Sequence, residues 1–191
     1  KIYYKLPNSF ILKSNKGAGR NVLVYNKNLS NPKILLNKLK NYNDPYEPIN
    51  EPQYQLTKGQ IYVEELIKPV PSDIKVYFYK NKPKILISIE NRFSDKKYYI
   101  YKFENNKLIF IPDCFWGLQS SQIKSKLIEN LIKNNKINYL IDLIYRFNIN
   151  FPLIRYDFYW YKNDFYASEI TFTSSQFNSK ITEKYAKFCV T

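Results

Sequence analysis

Three charged side chains lie in the two apolar, strand-like runs of one stretch near the carboxyl end of this sequence. The stretch, FPLIRYDFYWYKNDFYASEITFTSS at residues 151–175, predicts two strands joined by a turn at residues 162–164. Because side chains alternate between the faces of a strand, Arg155 and Asp157 share one face of the first strand, and Glu169 lies on the facing strand.

Two carboxylates on facing strands, embedded among Ile, Phe and Tyr, repel and desolvate each other unless a cation lies between them. The simplest such cation is Mg²⁺, which prefers carboxylate oxygens and usually shares its shell with substrate phosphates. Asp157 and Glu169 therefore indicate a nucleotide-handling enzyme. The alternative interpretation is a surface hairpin whose acids face water.

A glycine loop near the amino end is a second candidate site. Residues 9–25, SFILKSNKGAGRNVLVY, read as an apolar strand that ends at Lys13, a loop, and a second apolar strand. Two of the four glycines in the chain, Gly17 and Gly19, lie in this loop beside Lys16. Glycines permit positive φ and let backbone N–H groups approach an anion closely. Since the strand–loop–strand context fits neither the Walker nor the Rossmann pattern, the loop predicts a flap over phosphates, with a plain turn as the alternative.

Two adjacent acids end a third strand-like run. The run, IYVEELI at residues 61–67, carries Glu64 and Glu65. One of two neighbouring acids on a strand must face solvent, which is the ordinary interpretation of this pair. The sequence then continues through Asp73 and Lys75 into a hairpin that is predicted to turn at residues 81–83.

The elements that must position these residues are readable in outline. Hydrophobic alternation predicts strands at residues 9–14, 21–26 and 61–65, and antiparallel strands from 73 to 113 that turn at 81–82 and 105–106. The Asn-Pro start signal at residues 31–32 predicts a helix at 32–41. Helical spacing of apolar residues predicts two helices within 119–148 that break near 134–135, and a last helix is expected at 180–190. Residues 43–55, which hold three prolines, predict a loop.

Five segments of the chain, taken in order, resemble the TupA-like branch of the ATP-grasp enzymes. They are LPNSFILKSNKGAGRN, IYVEELI, DIKVYFYKNKPK, FPLIRYDFY and SEITF, and they are spread over nearly the entire chain, from residue 6 to residue 172. The resemblance implies an α+β ATP-grasp fold, in which two α+β lobes with antiparallel sheets clasp a nucleotide. Residues 1–67 would form the first lobe, with the phosphate flap and adenine hinge, and residues 68–191 the second lobe, with the metal-binding hairpin.

The same resemblance implies an activity. ATP-grasp enzymes use ATP and Mg²⁺, and most join a carboxylate to an amine or thiol through an acylphosphate. The TupA-like branch is found among polysaccharide genes, so the implied function is an ATP-dependent carboxylate–amine ligase in polysaccharide or glycan-peptide biosynthesis.

The resemblance also implies which residues hold the nucleotide. Lys13 matches the strand lysine that contacts the α and β phosphates, and Asp73 falls near the position that is usually acidic for the ribose. The remaining matches are Lys16, Gly17, Ala18 and Gly19 for the phosphate flap, and Glu64, Glu65 and Leu66 for the hinge that meets the adenine.

Metal-binding residues follow from the resemblance in the same way. Asp157 and Glu169 match the two metal-binding acids. Thr171 stands where most ATP-grasp enzymes have an asparagine ligand, so it is the third candidate ligand. The resemblance leaves open whether the metal has two protein ligands or three. The Pro-Gly turn that usually follows is replaced by Thr-Ser-Ser-Gln at residues 173–176, which points to an unusual acceptor pocket.

Three cationic residues are the catalytic candidates. Arg155 matches the arginine that holds the transferring phosphate. Lys75 matches a lysine particular to the TupA-like branch, for which we expect a phosphate or substrate contact. Arg92 is expected near the mouth of the cleft, where it would attract an anionic substrate.

Composition excludes several kinds of site. The chain of 191 residues has no histidine and two cysteines, which rules out a histidine base, a Ser–His–Asp triad and a typical zinc site. Few cysteines fit a reducing compartment, and no apolar run approaches the roughly 20 residues of a membrane span. We therefore expect a cytoplasmic location. Because the chain has no Met and starts inside a motif, we expect it to be a piece of a longer protein with an amino-terminal domain.

The net charge of +14 indicates a binding partner that is anionic. A basic surface suits an anionic glycan or acidic small molecule, an anionic membrane, or nucleic acid. The aromatics among the lysines lie mostly in strand-like runs, where β-propensity alone explains them, and this disfavours nucleic acid. Two alternatives to a ligase stay open: an ATP-grasp-like module that binds an anionic glycan without turnover, and a basic nucleic-acid-binding domain.

Overall fold

The computed structural model describes residues 3–15, 21–40, 58–112 and 120–172. The chain divides into two compact units, Lys1–Pro69 and Val70–Thr191. Both units combine antiparallel strands with helices, which confirms the α+β expectation. The predicted phosphate flap at residues 16–19, the loop at 43–55, the segment 173–176 and the last helix at 180–190 lie outside the described residues.

The first unit is built on a three-stranded antiparallel sheet in the order β2-β1-β3. Its described elements are β1 (Phe10–Ser14), β2 (Asn21–Val24), α1 (Pro32–Lys40) and β3 (Ile61–Glu65), with short 3-10 helices at Tyr3–Lys5 and Lys27–Leu29. Alternation along β1 buries Phe10 and Leu12 with Leu35 of α1 in one core, so Lys13 lies on the other face of the sheet.

Helix α1 starts at the predicted signal. The side chain of Asn31 accepts a hydrogen bond from the Lys33 backbone N–H at 2.9 Å, and Pro32 occupies the first helical position, where its missing N–H costs nothing.

The second unit is built on a six-stranded antiparallel sheet in the order β7-β6-β5-β4-β8-β9. The strands are β4 (Ser72–Tyr79), β5 (Lys82–Glu90), β6 (Lys97–Glu104), β7 (Lys107–Ile111), β8 (Leu153–Tyr161) and β9 (Asp164–Thr171).

Three hairpins of this sheet turn on two residues with positive φ. The turn residues are Lys80 and Asn81, Asn105 and Asn106, and Lys162 and Asn163, all with φ between 48° and 62°. Positive φ at both positions is the type I′ geometry, which matches the twist of the strands and which asparagine tolerates well. The prediction at 105–106 is confirmed. The first turn lies one residue earlier than predicted, and the third has two residues rather than three.

Two helices cover one face of this sheet. Helices α2 (Lys126–Lys133) and α3 (Lys136–Arg146) are separated at Asn134 and Asn135, as predicted, and Asn135 takes a left-handed conformation with φ 56°. Their buried residues, among them Leu131, Leu140 and Ile144, pack against the sheet in its larger core cluster.

The opposite face of the sheet is divided between apolar and charged residues. Isoleucines of β5 and β6 are buried on this face, with Ile87 only 2% exposed. Strands β4, β8 and β9 place charged residues on the same face, beginning with Lys75 directly opposite Asp157. The helical layer thus leaves this face for the residues that could do chemistry.

Candidate nucleotide and metal site

In the first unit, Lys13 and Glu64 form an ion pair. Lys13 of β1 lies opposite Tyr62 of β3, and Glu64 follows two residues later on the same face. Lys13 Nζ donates to Glu64 Oε2, with the lysine side chain 20% and the glutamate 45% exposed. The structure therefore brings together the predicted phosphate lysine and the predicted hinge glutamate on the face away from the core.

The rest of the predicted hinge lies at the end of β3. Glu65 is exposed and pairs with Phe10, and Leu66 is buried. The Leu66 backbone N–H donates to the Ser9 carbonyl oxygen at 3.4 Å. This N–H is thus engaged within the unit, so an adenine edge would have to meet other backbone groups of the hinge.

In the second unit, Asp157 lies between two register partners on neighbouring strands. It faces Lys75 of β4 on one side and Glu169 of β9 on the other. Directly opposed residues of an antiparallel pair have Cα atoms roughly 4.5–5.5 Å apart. A cation and two carboxylates thus stand in a row across three strands.

The Asp157 carboxylate, 5% exposed, is compensated by two cations. Arg155 donates from Nε to Oδ1 at 2.6 Å and from Nη2 to Oδ2 at 2.9 Å, while Lys75 Nζ also donates to Oδ2. Burial by itself would lower the pKa of Arg155, but the Asp157 carboxylate and its hydrogen bonds raise that pKa above its ordinary value. Arg155 therefore stays charged.

Glu169 is the more accessible carboxylate of the pair, with a side chain 52% exposed. Its Oε1 accepts a hydrogen bond from Thr171 Oγ1 at 2.6 Å and lies 3.5 Å from Arg155 Nη2. Arg155 thus bridges the two acids, and Thr171 orients Glu169.

A β-bulge sets the register between the two acids. With a two-residue turn at 162–163, a regular ladder would place Ser168 opposite Asp157. The bulge makes Ser168 an extra residue, so Glu169 pairs with Asp157 instead, and the Ser168 hydroxyl donates to the Asp157 carbonyl oxygen at 3.1 Å. A three-residue turn at 162–164 would give the same pairing without a bulge, so the spacing of the two acids does not reveal the bulge.

Asp73 and Arg92 extend the row of charges. Arg92 Nη1 donates to Oδ2 of Asp73, which is 4% exposed and lies two residues from Lys75 on the same face of β4. Burial raises the pKa of Asp73, and the positive charges of Arg92 and Lys75 oppose this shift. The row contains three cations and three anions and is neutral overall: Arg92, Lys75 and Arg155 against Asp73, Asp157 and Glu169.

The chemistry of this row suits Mg²⁺ bound together with phosphates. The described residues contain no group of three or more His, Cys, Asp or Glu that could hold a metal ion. An ion at Asp157 and Glu169 would therefore have two protein carboxylates and would complete its shell with water and substrate oxygens. Magnesium is usually bound in this way, through one or two carboxylates plus phosphates, so the residues present fit it.

Comparison with protein families decides the affiliation. The sequence profile of the family described as TupA-like ATPgrasp matches residues 3–188. This chain belongs to the TupA-like ATP-grasp family. The match confirms the resemblance seen in the motifs and, with it, the ATP-grasp fold class.

Solved ligases also align with this TupA-like chain. The D-alanine–D-alanine ligase of Bacillus anthracis complexed with ATP has 16% identity and a TM-score of 0.46, over 96% of this chain and 46% of that chain. The Helicobacter pylori D-alanine–D-alanine ligase has 20% identity and a TM-score of 0.42, over 97% of this chain and 48% of that chain. The chain thus spans about half the length of these enzymes. Comparison with curated proteins finds no match.

None of the helices that the structure describes has the length and apolar character needed to cross a bilayer.

The buried Asp73 predicts a pH dependence of stability. Its pKa is about 3.8 in the unfolded chain and is raised in the folded one, so its contribution is full below 3.8 and is lost as pH rises through the folded pKa. We expect the free energy of unfolding of the wild type, relative to that of Asp73→Asn, to fall across this window. Urea unfolding of both proteins over a pH series measures this difference.

Arg92→Gln is the matched variant for this experiment. It removes the charge that lowers the pKa of Asp73 most, so it should raise this pKa further and extend the window to higher pH. A difference between wild type and Asp73→Asn that is constant with pH, or that grows as pH rises, would contradict the assignment.

Proposed function

We propose that this chain is the ATP-binding core of a Mg²⁺-dependent ligase that activates a carboxylate as an acylphosphate and joins it to an amine. The observation that carries the proposal is the cross-strand pairing of Asp157 with Glu169, bridged by Arg155. Membership of the TupA-like ATP-grasp family over residues 3–188 supports it.

In this proposal the charged row handles the phosphoryl group. A carboxylate oxygen of the acceptor attacks the γ-phosphorus, ADP leaves, and an amine nitrogen then attacks the acyl carbon and releases phosphate. Bound Mg²⁺ supplies neutralisation of phosphate oxygens, and Asp157 and Glu169 would hold it. Arg155, whose pKa is raised, would keep a fixed positive charge beside the transferred group, where preorganised charge lowers the barrier.

In the first unit, Lys13 is the proposed contact for nucleotide phosphates. Its ammonium is paired with Glu64, at a partly exposed site where such a pair contributes little to stability. Exchange of this partner for phosphate oxygens would therefore cost little, and Glu64 would be released at the hinge.

Asp73 of the second unit is already engaged, because its carboxylate accepts a hydrogen bond from Arg92. We therefore propose that Asp73 acts by positioning Arg92 rather than by contacting the ribose.

The substrate class we propose is an acidic sugar or amino acid on a glycan or peptide polymer, in polysaccharide biosynthesis. The net charge of +14 supports an anionic acceptor, because a basic surface raises the local concentration of such a substrate. A reducing cytoplasm, to which a chain with two cysteines is suited, is the proposed location.

Nucleotide binding should depend on the metal. Calorimetric titration of the chain with ATP should show an affinity at least about tenfold higher with Mg²⁺ than with EDTA, a difference of about 1.4 kcal/mol. Asp157→Asn should remove most of this metal effect, because it deletes one carboxylate charge. Equal affinity for ATP in Mg²⁺ and in EDTA would count against the metal assignment.

Turnover should depend more on Glu169 than on Thr171. Glu169→Gln removes a charge where the phosphoryl group moves, and should lower kcat for ADP release about a hundredfold or more. Thr171→Val removes one hydrogen bond from an uncharged hydroxyl to the Glu169 carboxylate and should cost no more than about tenfold. The assay is ADP release in the presence of a panel of uronic acids and amino acids.

Thr171→Val serves as the matched control, because both substitutions lie on the same strand and conserve side-chain volume. If Glu169→Gln turns over like the wild type, the proposed role of Glu169 is wrong. If Thr171→Val loses as much activity as Glu169→Gln, Thr171 is a ligand in its own right.

A further inference from the structure

One oxygen of Asp157 is shared by two cations of different character. Oδ2 accepts hydrogen bonds from Lys75 Nζ and from Arg155 Nη2, while Oδ1 is held by Arg155 Nε. Lys75 comes from β4 and Arg155 from β8, so the carboxylate is held from two strands. With the lysine side chain 17% exposed, the pair is screened little by solvent.

A divalent cation cannot join this arrangement without a rearrangement of charge. At Asp157 it would lie beside two monovalent cations, and like charges at such a distance repel strongly in a poorly solvated site. One of the two cations must therefore give up its contact with the carboxylate when a metal binds.

The geometry indicates which cation leaves. Arg155 is held by two parallel hydrogen bonds to Asp157 and also lies near Glu169, so its loss would break several contacts together. Lys75 is a point charge on a flexible stem, and its ammonium can swing away from Oδ2 without disturbing the guanidinium.

We infer that the Lys75 ammonium substitutes for the metal ion. When no metal is bound, it compensates the charge of the Asp157 carboxylate, and on metal binding it leaves Oδ2 of Asp157 and becomes available to an anion. The inference rests on the proposed function, because it assumes a metal at Asp157 and Glu169. Lys75 is thereby a positioning residue for the Asp157 carboxylate.

The role has a thermodynamic signature that is separate from turnover. Without Lys75, Arg155 is the one cation among the described residues that pairs with Asp157 and Glu169, so a buried carboxylate is left under-compensated and the fold is destabilised. A divalent ion would then replace the missing charge with no competitor. The stability of a Lys75 variant should therefore depend on Mg²⁺ much more than that of the wild type.

The experiment compares thermal unfolding of the full chain in EDTA and in millimolar MgCl₂, with ionic strength matched by NaCl. Lys75→Met should lower Tm in EDTA by roughly 5 °C. The rise in Tm on adding Mg²⁺ should be at least about 3 °C larger for Lys75→Met than for the wild type.

Two further variants separate this effect from general loss of charge. Arg92→Met breaks the neighbouring ion pair between Arg92 and Asp73. The register partners of Asp73 are Tyr159 and Ile89, so no second carboxylate lies directly opposite it, and Mg²⁺ should not restore the Tm of Arg92→Met. The double variant Lys75→Met/Asp157→Asn removes both charges of the pair. It should be more stable in EDTA than Lys75→Met and should lose the Mg²⁺ response.

Each outcome bears on the inference. If Lys75→Met folds only with Mg²⁺, as judged by near-ultraviolet circular dichroism, the inference is supported. If it stays unfolded with and without Mg²⁺, or responds to Mg²⁺ no more than wild type or Arg92→Met, the inference is wrong. Absence of Mg²⁺-dependent ATP binding by the wild type would overturn the proposed function itself, whereas such binding without an enhanced response of Lys75→Met would overturn only the role of Lys75.

Discussion

A buried carboxylate is the constraint around which the second unit is organised. Asp157 lies on β8, between β4 and the edge strand β9 of a six-stranded sheet, with only 5% of its side chain exposed. An ionised carboxylate at such a position is strongly unfavourable unless it is paired and hydrogen-bonded. Its two cationic partners come from different strands, so the register of β4 against β8 must be correct before the charge is compensated. The same register assembles the proposed site.

The two faces of this sheet have different roles: one is covered by helices and forms the larger core, and the other carries the charged residues. Helices α2 and α3 bury one face, which supplies the larger core, and the two buried carboxylates of the described residues, Asp73 and Asp157, lie on the other face. The other face can then carry ionisable groups at the positions nearest β8 and β9, while isoleucines fill the part toward β6. Because side chains alternate along each strand, a shift of register by one residue would exchange these faces, so the core and the charged row stabilise the same register.

Local signals in the sequence predicted most of the elements. Asn134 and Asn135 ended one helix and began the next, as expected, because asparagine tolerates the left-handed conformation that Asn135 adopts. The hairpin at Asn105 and Asn106 follows from the same property. The family was also readable, because its motifs occur in order along nearly the whole chain.

Long-range pairing was less accessible. Lys75 and Asp157 are 82 residues apart, and no local pattern specifies that they lie directly opposite each other. Asp157 and Glu169 were expected on facing strands joined by a three-residue turn, whereas the structure pairs them directly through a two-residue turn and a bulge at Ser168. Turn length and bulge position compensate each other here, so an argument from spacing alone cannot separate them.

The central claim is that Asp157 and Glu169 share one metal ion at the nucleotide phosphates. A crystal structure of the chain with Mg²⁺ and a non-hydrolysable ATP analogue tests it most directly. The account predicts Mg²⁺ bound to a carboxylate oxygen of each residue at about 2.1 Å, together with phosphate oxygens and water. A bound nucleotide whose Mg²⁺ contacts neither carboxylate would contradict it.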